Sequence, residues 1–219
     1  MRGPKGRVPN RAKGIWPLSF LIFVMVFPAC SRTQADAAYL TNQGVRYYRQ
    51  GRVEEAVTQL RKATALAPDF APAQYNLGLA FAHGQSNYTQ GKKHLEISTK
   101  LDPKNIEGWY QLGKTMLALD ELESAKTTFK KALSVNPYHD PTLYELGLLA
   151  EREGNFPQAD DLYRQVVVAN PSNPHAFHAL AEIYENAGFA EEAEAVFREG
   201  LRLNPKHGSL YHGLGVLLV

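Results

Sequence analysis

Large and small residues recur along residues 37–219 with a period close to 34. Within each period, small residues stand at two fixed positions and large apolar residues at several others, as expected for two closely packed helices. A proline closes each period, and successive prolines stand 35, 34, 34 and 34 residues apart. These prolines are Pro68, Pro103, Pro137, Pro171 and Pro205. Such a period predicts a helical solenoid, in which each helical hairpin depends on its neighbours for a buried core.

The period divides this part of the chain into five complete units and one partial unit. The units span residues 37–70, 71–105, 106–139, 140–173, 174–207 and 208–219. The second unit is one residue longer than the others, and we expect the extra residue in a surface turn near Gly84-Gln85-Ser86. Turns between the two helices of a hairpin are expected at three further glycines. They are Gly51, Gly154 and Gly188.

A few positions within the unit carry the pattern most clearly. Positions 7 and 8 are Leu77-Gly78, Leu112-Gly113, Leu146-Gly147 and Leu214-Gly215 in four units. Position 20 holds Ala56, Gly91, Ala125, Ala159 and Ala193, and position 24 holds Leu60, Leu95, Phe129, Tyr163 and Phe197. Position 4 is bulky in every unit except the second, where Gln74 breaks the series. Small residues let two helices approach closely, and the large residues fill the space between hairpins.

These motifs resemble the tetratricopeptide repeat, and the resemblance covers residues 37–219. It implies an all-α fold, a right-handed α-solenoid of antiparallel helix hairpins with five complete repeats and one partial repeat. It also implies that the first helices of the hairpins line a concave groove in which a partner protein binds. Residues at positions 2, 5, 6, 9, 12 and 13 of each unit would then face that groove.

Position 5 carries an aromatic or imidazole ring in five of the six units, and position 6 carries amides in the first three. Rings offer contact area at low entropic cost, and amides can bind the backbone of an extended ligand. The predicted partner-binding residues are Tyr48, Tyr75, Asn76, Tyr110, Gln111, Lys114, Tyr144, His178 and His212. An alternative remains open, because tyrosine and asparagine are common at these positions in the family and can be structural.

The groove is expected to become more acidic toward its C-terminal end, through Glu145, Glu151, Glu182 and Glu185. His175, His178 and Glu182 share one side of a helix, a spacing that can bind zinc but is more often an exposed polar face. We expect no metal and no other cofactor. Protonation of the histidines near pH 6 would instead make partner binding sensitive to pH.

The N-terminus predicts a targeting segment over residues 1–29. A basic stretch is followed by an apolar run of 13 residues over 15–27, shorter than the roughly 20 that a spanning helix needs. Ala29-Cys30 resembles the bacterial lipoprotein signal, whose cysteine is acylated and becomes the new N-terminus. We therefore expect lipidation of Cys30, a short linker over 30–36 and the repeat domain over 37–219. A secretory signal with an incidental cysteine and an uncleaved anchor are the alternatives.

Charge and composition narrow the possible partners. The formal net charge is +2, but five of the 24 basic residues and none of the 22 acidic ones precede residue 30, so residues 30–219 carry −3. This part lacks the excess of positive charge that nucleic acid binding requires, and we expect no nucleic acid partner. Cys30 is the only cysteine, which excludes an intrachain disulfide.

No phosphate-binding loop, G-x-S-x-G or H-E-x-x-H motif occurs in the sequence, and we expect no enzyme activity. The organisation of signal, cysteine and repeats resembles bacterial cell-envelope lipoproteins, such as those that assemble type IV pili. It implies a membrane-anchored scaffold that faces the periplasm or the exterior and binds a protein segment in its groove. The alternative is a structural envelope protein that forms homo-oligomers through an apolar C-terminal edge.

That edge is formed by the final apolar stretch, residues 210–219. Tyr211 and Leu218 are predicted to pack back on the fifth unit together with Leu214. Leu210 and Leu217 are predicted to lie at the open edge, as is Val219. Either a further helix covers this edge or the edge mediates docking or self-assembly.

Overall fold

A computed structural model describes the backbone of residues 19–219 and the side chains of residues 32–219. This part of the chain forms eleven α-helices and contains no β-strand. The helices are α1 (Ser19–Arg49), α2 (Val53–Leu66), α3 (Ala71–Leu79), α4 (Tyr88–Leu101), α5 (Ile106–Ala118), α6 (Leu122–Val135), α7 (Asp140–Arg152), α8 (Phe156–Ala169), α9 (Pro174–Asn186), α10 (Ala190–Leu203) and α11 (Gly208–Leu217).

The helices pack in sequential pairs. The most extensive contacts lie within the hairpins α1–α2, α3–α4, α5–α6, α7–α8 and α9–α10. Each hairpin then packs on the next one along the chain, and α11 packs on both helices of the fifth hairpin. Contacts between consecutive units alone are the defining property of a solenoid, so the predicted all-α repeat architecture is confirmed.

Close approach of the two helices in a hairpin depends on glycine at position 8. A Cβ atom on Gly113 would lie 2.4 Å from the ring of Phe129, and one on Gly147 would lie 2.4 Å from the ring of Tyr163. Both rings are fully buried. The position-24 side chain therefore occupies the space that a glycine on the facing helix leaves free, as the sequence predicted.

The turns within hairpins adopt the left-handed backbone conformation. Gly51, Gly154 and Gly188 have φ angles of 74°, 74° and 81°, which confirms the predicted turns. In the third unit Asp120 takes the same conformation with a φ of 59°. Aspartate tolerates this region better than most residues, so the turn does not require glycine.

The second unit accommodates its extra residue through a π-helical turn, Ala80–Gly84, that follows α3. The N–H of Gln85 bonds to the carbonyl of Ala80 at 3.1 Å, one residue further back than in an α-helix. Ser86 then adopts a φ of 52° before α4 begins. The extra residue lies where the sequence predicted it, and the next hairpin resumes the regular pattern.

Gln74 is an informative exception at position 4. It is buried, its Nε2 donates to the carbonyl of Pro68 at 2.9 Å, and its Oε1 lies 2.8 Å from Nδ1 of His94. Trp109 and Tyr211, at position 4 of other units, also donate to the carbonyl of the proline six residues earlier. Gln74 thus replaces apolar bulk with hydrogen bonds that satisfy its buried amide.

Helix α1 extends well beyond the first hairpin. It spans 31 residues and includes residues 30–36, where the sequence suggested a linker, because no glycine or proline interrupts residues 29–43. Residues 1–18 and the side chain of Cys30 lie outside the described residues, so the signal segment and the lipidation stay predictions. None of the described helices combines the length and the apolar content needed to cross a bilayer.

The predicted faces of the last helix require a correction. Leu210 is fully buried, and Leu217 packs with Leu214 against the cluster around Phe197. In contrast, Tyr211 is 54% exposed and Leu218 is 57% exposed. The reason is that position 3 of every unit after the first is buried against the preceding hairpin. The equivalent buried residues are Ala73, Gly108, Thr142 and Ala176.

Candidate partner-binding groove

The first helices of successive hairpins share a continuous face. His83, in the π-helical turn, places Nε2 2.9 Å from Oε1 of Gln111 on α5. Lys114 on α5 forms a 3.0 Å ion pair with Glu145 on α7. Side chains on this face therefore contact one another from repeat to repeat. We divide this surface into an N-terminal half (Tyr75, Asn76, Tyr110, Gln111, Lys114) and a C-terminal half (Tyr144, Glu151, His175, His178, Glu182, Glu185, His207, His212).

The amides of the N-terminal half already have protein partners. Asn76 Nδ2 donates to the carbonyl of Pro72 at 2.7 Å. Gln111 Nε2 donates to Glu107 Oε1 at 2.7 Å, and its oxygen faces His83. Both side chains are partly exposed. A ligand that used these amides would therefore exchange existing hydrogen bonds rather than satisfy free groups.

The tyrosines of this half serve the core as well as the groove. Tyr75 packs against the central cluster, and burial, with the charge of Glu107, raises the pKa of Tyr75 to about 12. Tyr110 packs on Phe129 with ring centroids 6.2 Å apart and meets His139 edge-on at 5.5 Å. Burial also raises the pKa of Tyr110. Both hydroxyls remain protonated at neutral pH and are partly accessible as hydrogen-bond donors.

Lys114 stands at the boundary between the two halves. Burial lowers the Lys114 pKa, but the hydrogen bond and charge of Glu145 outweigh burial and raise the pKa overall. The ammonium group also lies 5.9 Å from the centre of the Tyr110 ring. Its charge is therefore largely compensated by Glu145, and the pair joins α5 to α7.

Tyr48 lies apart from the line of rings. It is half-buried against the cluster formed by the first hairpin and α3, which includes Leu60 and Phe81. A Cβ atom on Gly84 would lie 3.2 Å from Cε2 of Tyr48. The ring of Tyr48 therefore packs between the first hairpin and the π-helical turn.

The C-terminal half contains two adjoining cavities. The first, of about 260 Å³, lies between α7, α9 and the start of α11. Its polar and aromatic lining is Tyr144, Glu151, His175, His178, Glu182, His207 and Ser209. The second, of about 300 Å³, shares His178 and Glu182 with the first. It continues along the groove to Glu185, Phe197 and His212.

Rings form the walls of the first cavity. His175 meets His207 edge-on, with ring centroids 5.4 Å apart, and lies 6.4 Å from Tyr144. His178 packs edge-on against the buried ring of Phe197 at 5.8 Å. Burial raises the pKa of Tyr144, and the nearby charge of Glu151 adds to the effect. The cavity is thus bounded largely by aromatic and imidazole rings.

Carboxylates supply the charge of this half. Glu151 accepts a hydrogen bond from the hydroxyl of Tyr163, whose pKa is raised by burial and by that bond. Glu182 Oε2 lies 3.3 Å from His178 Nδ1 and is 51% exposed. Among the described residues that line the two cavities there is no lysine or arginine. The C-terminal half therefore carries uncompensated negative charge when its histidines are neutral.

Sequence reasoning did not assign His83, His139 or His207 to the groove. His139 and His207 are the last residues of their units and directly precede α7 and α11. Reading the last position of every unit together with position 5 would have found them. Over the described residues, no group of three or more histidine, cysteine, aspartate or glutamate side chains is arranged to hold a metal ion.

Family models for the tetratricopeptide repeat match three separate stretches of the chain. The TPR repeat model matches residues 44–84. Two further models of the tetratricopeptide repeat match residues 106–139 and 144–208. Together the matches cover more than half of the chain.

Two curated relatives match about half of this chain. The chain is 30% identical over 114 residues to Tetratricopeptide repeat protein 8 of Caenorhabditis elegans, covering 52% of this chain and 22% of that protein. It is 28% identical over 106 residues to the Protein O-mannosyl-transferase TMTC3 of Homo sapiens, covering 48% and 12%. The chain thus spans less than a quarter of either relative.

Three solved structures have the same fold. The structure of MamA superposes with a TM-score of 0.69 at 22% identity, covering 74% of this chain and 95% of that one. YrrB, described as a TPR protein with an unusual peptide-binding site, gives 0.65 at 20% identity, covering 85% and 95%. The pilF protein of Pseudomonas aeruginosa gives 0.69 at 17% identity, covering 78% of each. At these identities the likeness shows the fold alone.

Tetratricopeptide repeats generally form non-catalytic scaffolds for protein–protein interaction, on the extended concave surface that stacked repeats create. The glycine–ring packing, the left-handed turns, the period of 34 residues and the three model matches agree with one another. The chain therefore belongs to the tetratricopeptide repeat family.

Proposed function

We propose that this protein is a non-catalytic scaffold that binds an extended segment of a partner protein in the groove. The observation that carries the proposal is the line of half-buried rings, Tyr75, Tyr110, Tyr144 and His178, one on the first helix of each successive hairpin. The line ends at the two cavities of the C-terminal half. Such a row can contact successive side chains of an extended segment that lies along the groove.

The physical chemistry of the row supports recognition of a protein rather than of a small molecule. Adjacent packed helices stand about 8–10 Å apart, so four consecutive first helices offer a surface roughly 30 Å long. Half-buried rings lose little side-chain entropy when a ligand covers them, and such anchors dominate binding energies at protein interfaces. Both cavities are also open to the groove, which suits side chains that belong to a longer segment.

Site-specific photo-crosslinking in the native cell tests this proposal. The crosslinking residue replaces Gln111, which faces the groove and is partly exposed. The matched control replaces Lys130, which is exposed on α6, the second helix of the same hairpin. We expect a discrete protein adduct from position 111 and none from position 130. Equal capture at both positions, or capture at neither, would contradict binding in the groove.

The cellular setting is a further part of the proposal. Ala29-Cys30, the apolar run before it and the repeats after it support a membrane-anchored lipoprotein of the bacterial cell envelope. There the scaffold would serve the assembly of an envelope machine such as a type IV pilus or a secretion apparatus. Metabolic labelling with a fatty acid tests the anchor: we expect label on the wild type and none on Cys30→Ser. Unlabelled wild-type protein in the soluble fraction would exclude it.

A second candidate function is self-assembly through α11. Tyr211, Val216 and Leu218 are each more than half exposed, and a cavity of about 560 Å³ lies beside Tyr211 and Val216. Sedimentation velocity over a roughly 100-fold range of concentration tests this, because mass action favours oligomers as concentration rises. A sedimentation coefficient that rises with concentration in the wild type but not in Val216→Asp would support self-assembly. A monomer at every concentration would exclude it.

A further inference from the structure

We propose that the C-terminal half of the groove accepts arginine side chains of a basic partner segment, and that binding weakens on mild acidification. This inference rests on the proposed scaffold function and specifies the chemistry of the partner. It draws on three independent features of the two cavities: their charge, their aromatic walls and their spacing.

Charge separates the two halves of the groove. In the N-terminal half, Lys114 is compensated by Glu145, and Glu107 accepts from Gln111 and lies 4.0 Å from His139. In the C-terminal half, Glu151, Glu182 and Glu185 line the cavities, and none of the described residues that line them is a lysine or an arginine. A cationic ligand group would supply the compensating charge that the protein itself does not provide there.

The shape of the first cavity favours a guanidinium over an ammonium. Its walls include Tyr144, His175 and His207. The ring centroid of His175 lies 6.4 Å from that of Tyr144 and 5.4 Å from that of His207. A planar guanidinium can stack on such rings and donate to two carboxylates at once. A lysine ammonium is a point charge that gains less from flat walls. The geometry therefore points to arginine.

The two cavities suit two side chains of one segment. They share His178 and Glu182, so they are direct neighbours along the groove. In an extended chain, side chains two residues apart point to the same face and stand about 7 Å apart. An Arg-Xaa-Arg segment is the simplest ligand that would occupy both cavities.

Histidines make the site sensitive to pH. The titratable groups that face the first cavity are Tyr144 and Glu151 from α7, His175, His178 and Glu182 from α9, and His207 before α11. The second cavity adds Glu185 and His212. Imidazole is the side chain that gains a positive charge under mild acidification, so acidification would place up to four positive charges beside three carboxylates. The site would then repel a cationic side chain.

Fluorescence anisotropy with the full chain and a defined peptide tests the inference. The probe is a labelled, amidated peptide of sequence Gly-Ser-Arg-Ser-Arg-Ser-Gly. Two comparison peptides replace both arginines with citrulline, which keeps the shape without the charge, or with glutamate. At about pH 7.5 we expect the citrulline peptide to bind at least ~10-fold more weakly and the glutamate peptide not to bind. Lowering the pH to about 5.5 should weaken the arginine peptide by a similar factor.

Matched variants separate the site from general electrostatic attraction. Glu182→Gln and Glu185→Gln should each weaken the arginine peptide about 5- to 10-fold, because each removes one charge from the groove. Glu191→Gln removes the same charge from an exposed position in the first turn of α10 and should leave the affinity unchanged. Circular dichroism of all three variants checks that the fold is intact.

Several outcomes would overturn the inference. They are equal affinity for the arginine and citrulline peptides, tighter binding of the glutamate peptide, or an equal loss in Glu191→Gln and Glu182→Gln. Affinity that is unchanged at about pH 5.5 would remove its pH-dependent part. The crosslink from position 111 distinguishes the two levels: if it persists while the peptide fails, the scaffold function stands and the basic ligand does not.

Discussion

The two halves of the groove are built on the same repeat but offer different groups to a ligand. In the N-terminal half, Asn76 and Gln111 are bonded to neighbouring protein groups, and Lys114 is paired with Glu145. In the C-terminal half, cavities expose rings and carboxylates such as Tyr144 and Glu182. The repeat fixes where a side chain points, whereas contacts with the neighbouring units decide whether its polar groups remain available.

The strongest test of a shared scaffold is alanine at Gly113 or at Gly147, one glycine from each half. The added Cβ would overlap the ring of Phe129 or Tyr163 at 2.4 Å, so each variant should lose about 2–3 kcal/mol of unfolding free energy. Urea denaturation followed by circular dichroism measures this loss. Gly208→Ala, with no atom within 4 Å of the new Cβ, is the control and should be nearly neutral. Unequal losses at the two glycines would show that the halves differ in packing as well as in chemistry.

Packing of this kind was predictable from the sequence because one hairpin geometry is repeated. Glycine at position 8 and a large residue at position 24 recur together, and two of these pairs are Gly113 with Phe129 and Gly147 with Tyr163. The faces of the last helix were not predicted correctly. Position 3 holds small residues in units two to five, so Leu210 did not look like a core residue, although the same position is buried in each of them.

The candidate site was less predictable than the fold. The line of tyrosines followed from the family pattern, but the hydrogen bonds of Asn76 and Gln111 depend on the groups that happen to lie nearby. His139 and His207 were missed because they precede a helix rather than belong to one, so a helical pattern does not assign them to a face. Availability of a polar group depends on its neighbours in space, which a single-helix pattern does not describe.

The helix that carries Tyr75 and Asn76, α3, should be sensitive to loss of its buried amide, Gln74. Gln74→Ala leaves the Pro68 carbonyl and His94 without their partner and creates a cavity, so we expect a loss of about 2 kcal/mol. Gln74→Leu restores the volume and should lose about half as much. Thermal unfolding of both variants measures the difference. If Gln74→Leu proves as damaging as Gln74→Ala, the hydrogen bonds rather than the volume determine stability at position 4.

The burial of Tyr75 predicts that the folded protein loses stability at alkaline pH. The pKa of its hydroxyl is about 12 in the folded protein and about 10 in an unfolded chain, so the folded state retains a proton that the unfolded state releases. Stability from this group is complete below about pH 10 and falls as the pH approaches 12, by up to about 2 kcal/mol. Tyr75→Phe lacks this loss. The difference in unfolding free energy between this variant and the wild type, measured by denaturation from about pH 10 to 12, should therefore change with pH. Parallel curves would indicate that Tyr75 is more accessible than its packing suggests.

The smallest expected effect concerns the ion pair between the halves. Lys114 and Glu145 are 41% and 13% exposed, so their coupling should be about 0.5–1 kcal/mol and should decrease with added salt. A double-mutant cycle with Lys114→Met and Glu145→Gln measures this coupling directly. A coupling near zero at low salt would mean that Lys114 is free to meet a ligand. The N-terminal half would then offer a cation, and the two halves would be opposite in charge.

The π-helical turn after α3 shows that an inserted residue changes the structure over only a short stretch of this chain. One inserted residue changes the helical geometry of Ala80–Gly84 and the φ of Ser86, yet the following prolines return to a spacing of 34. In an array whose units contact only their neighbours, the structural effect of an inserted residue is confined to the repeat that contains it. Such a chain can change length at any turn between its helices while the rest of the groove keeps its register. The length of one repeat can therefore change during evolution without a compensating change in the others.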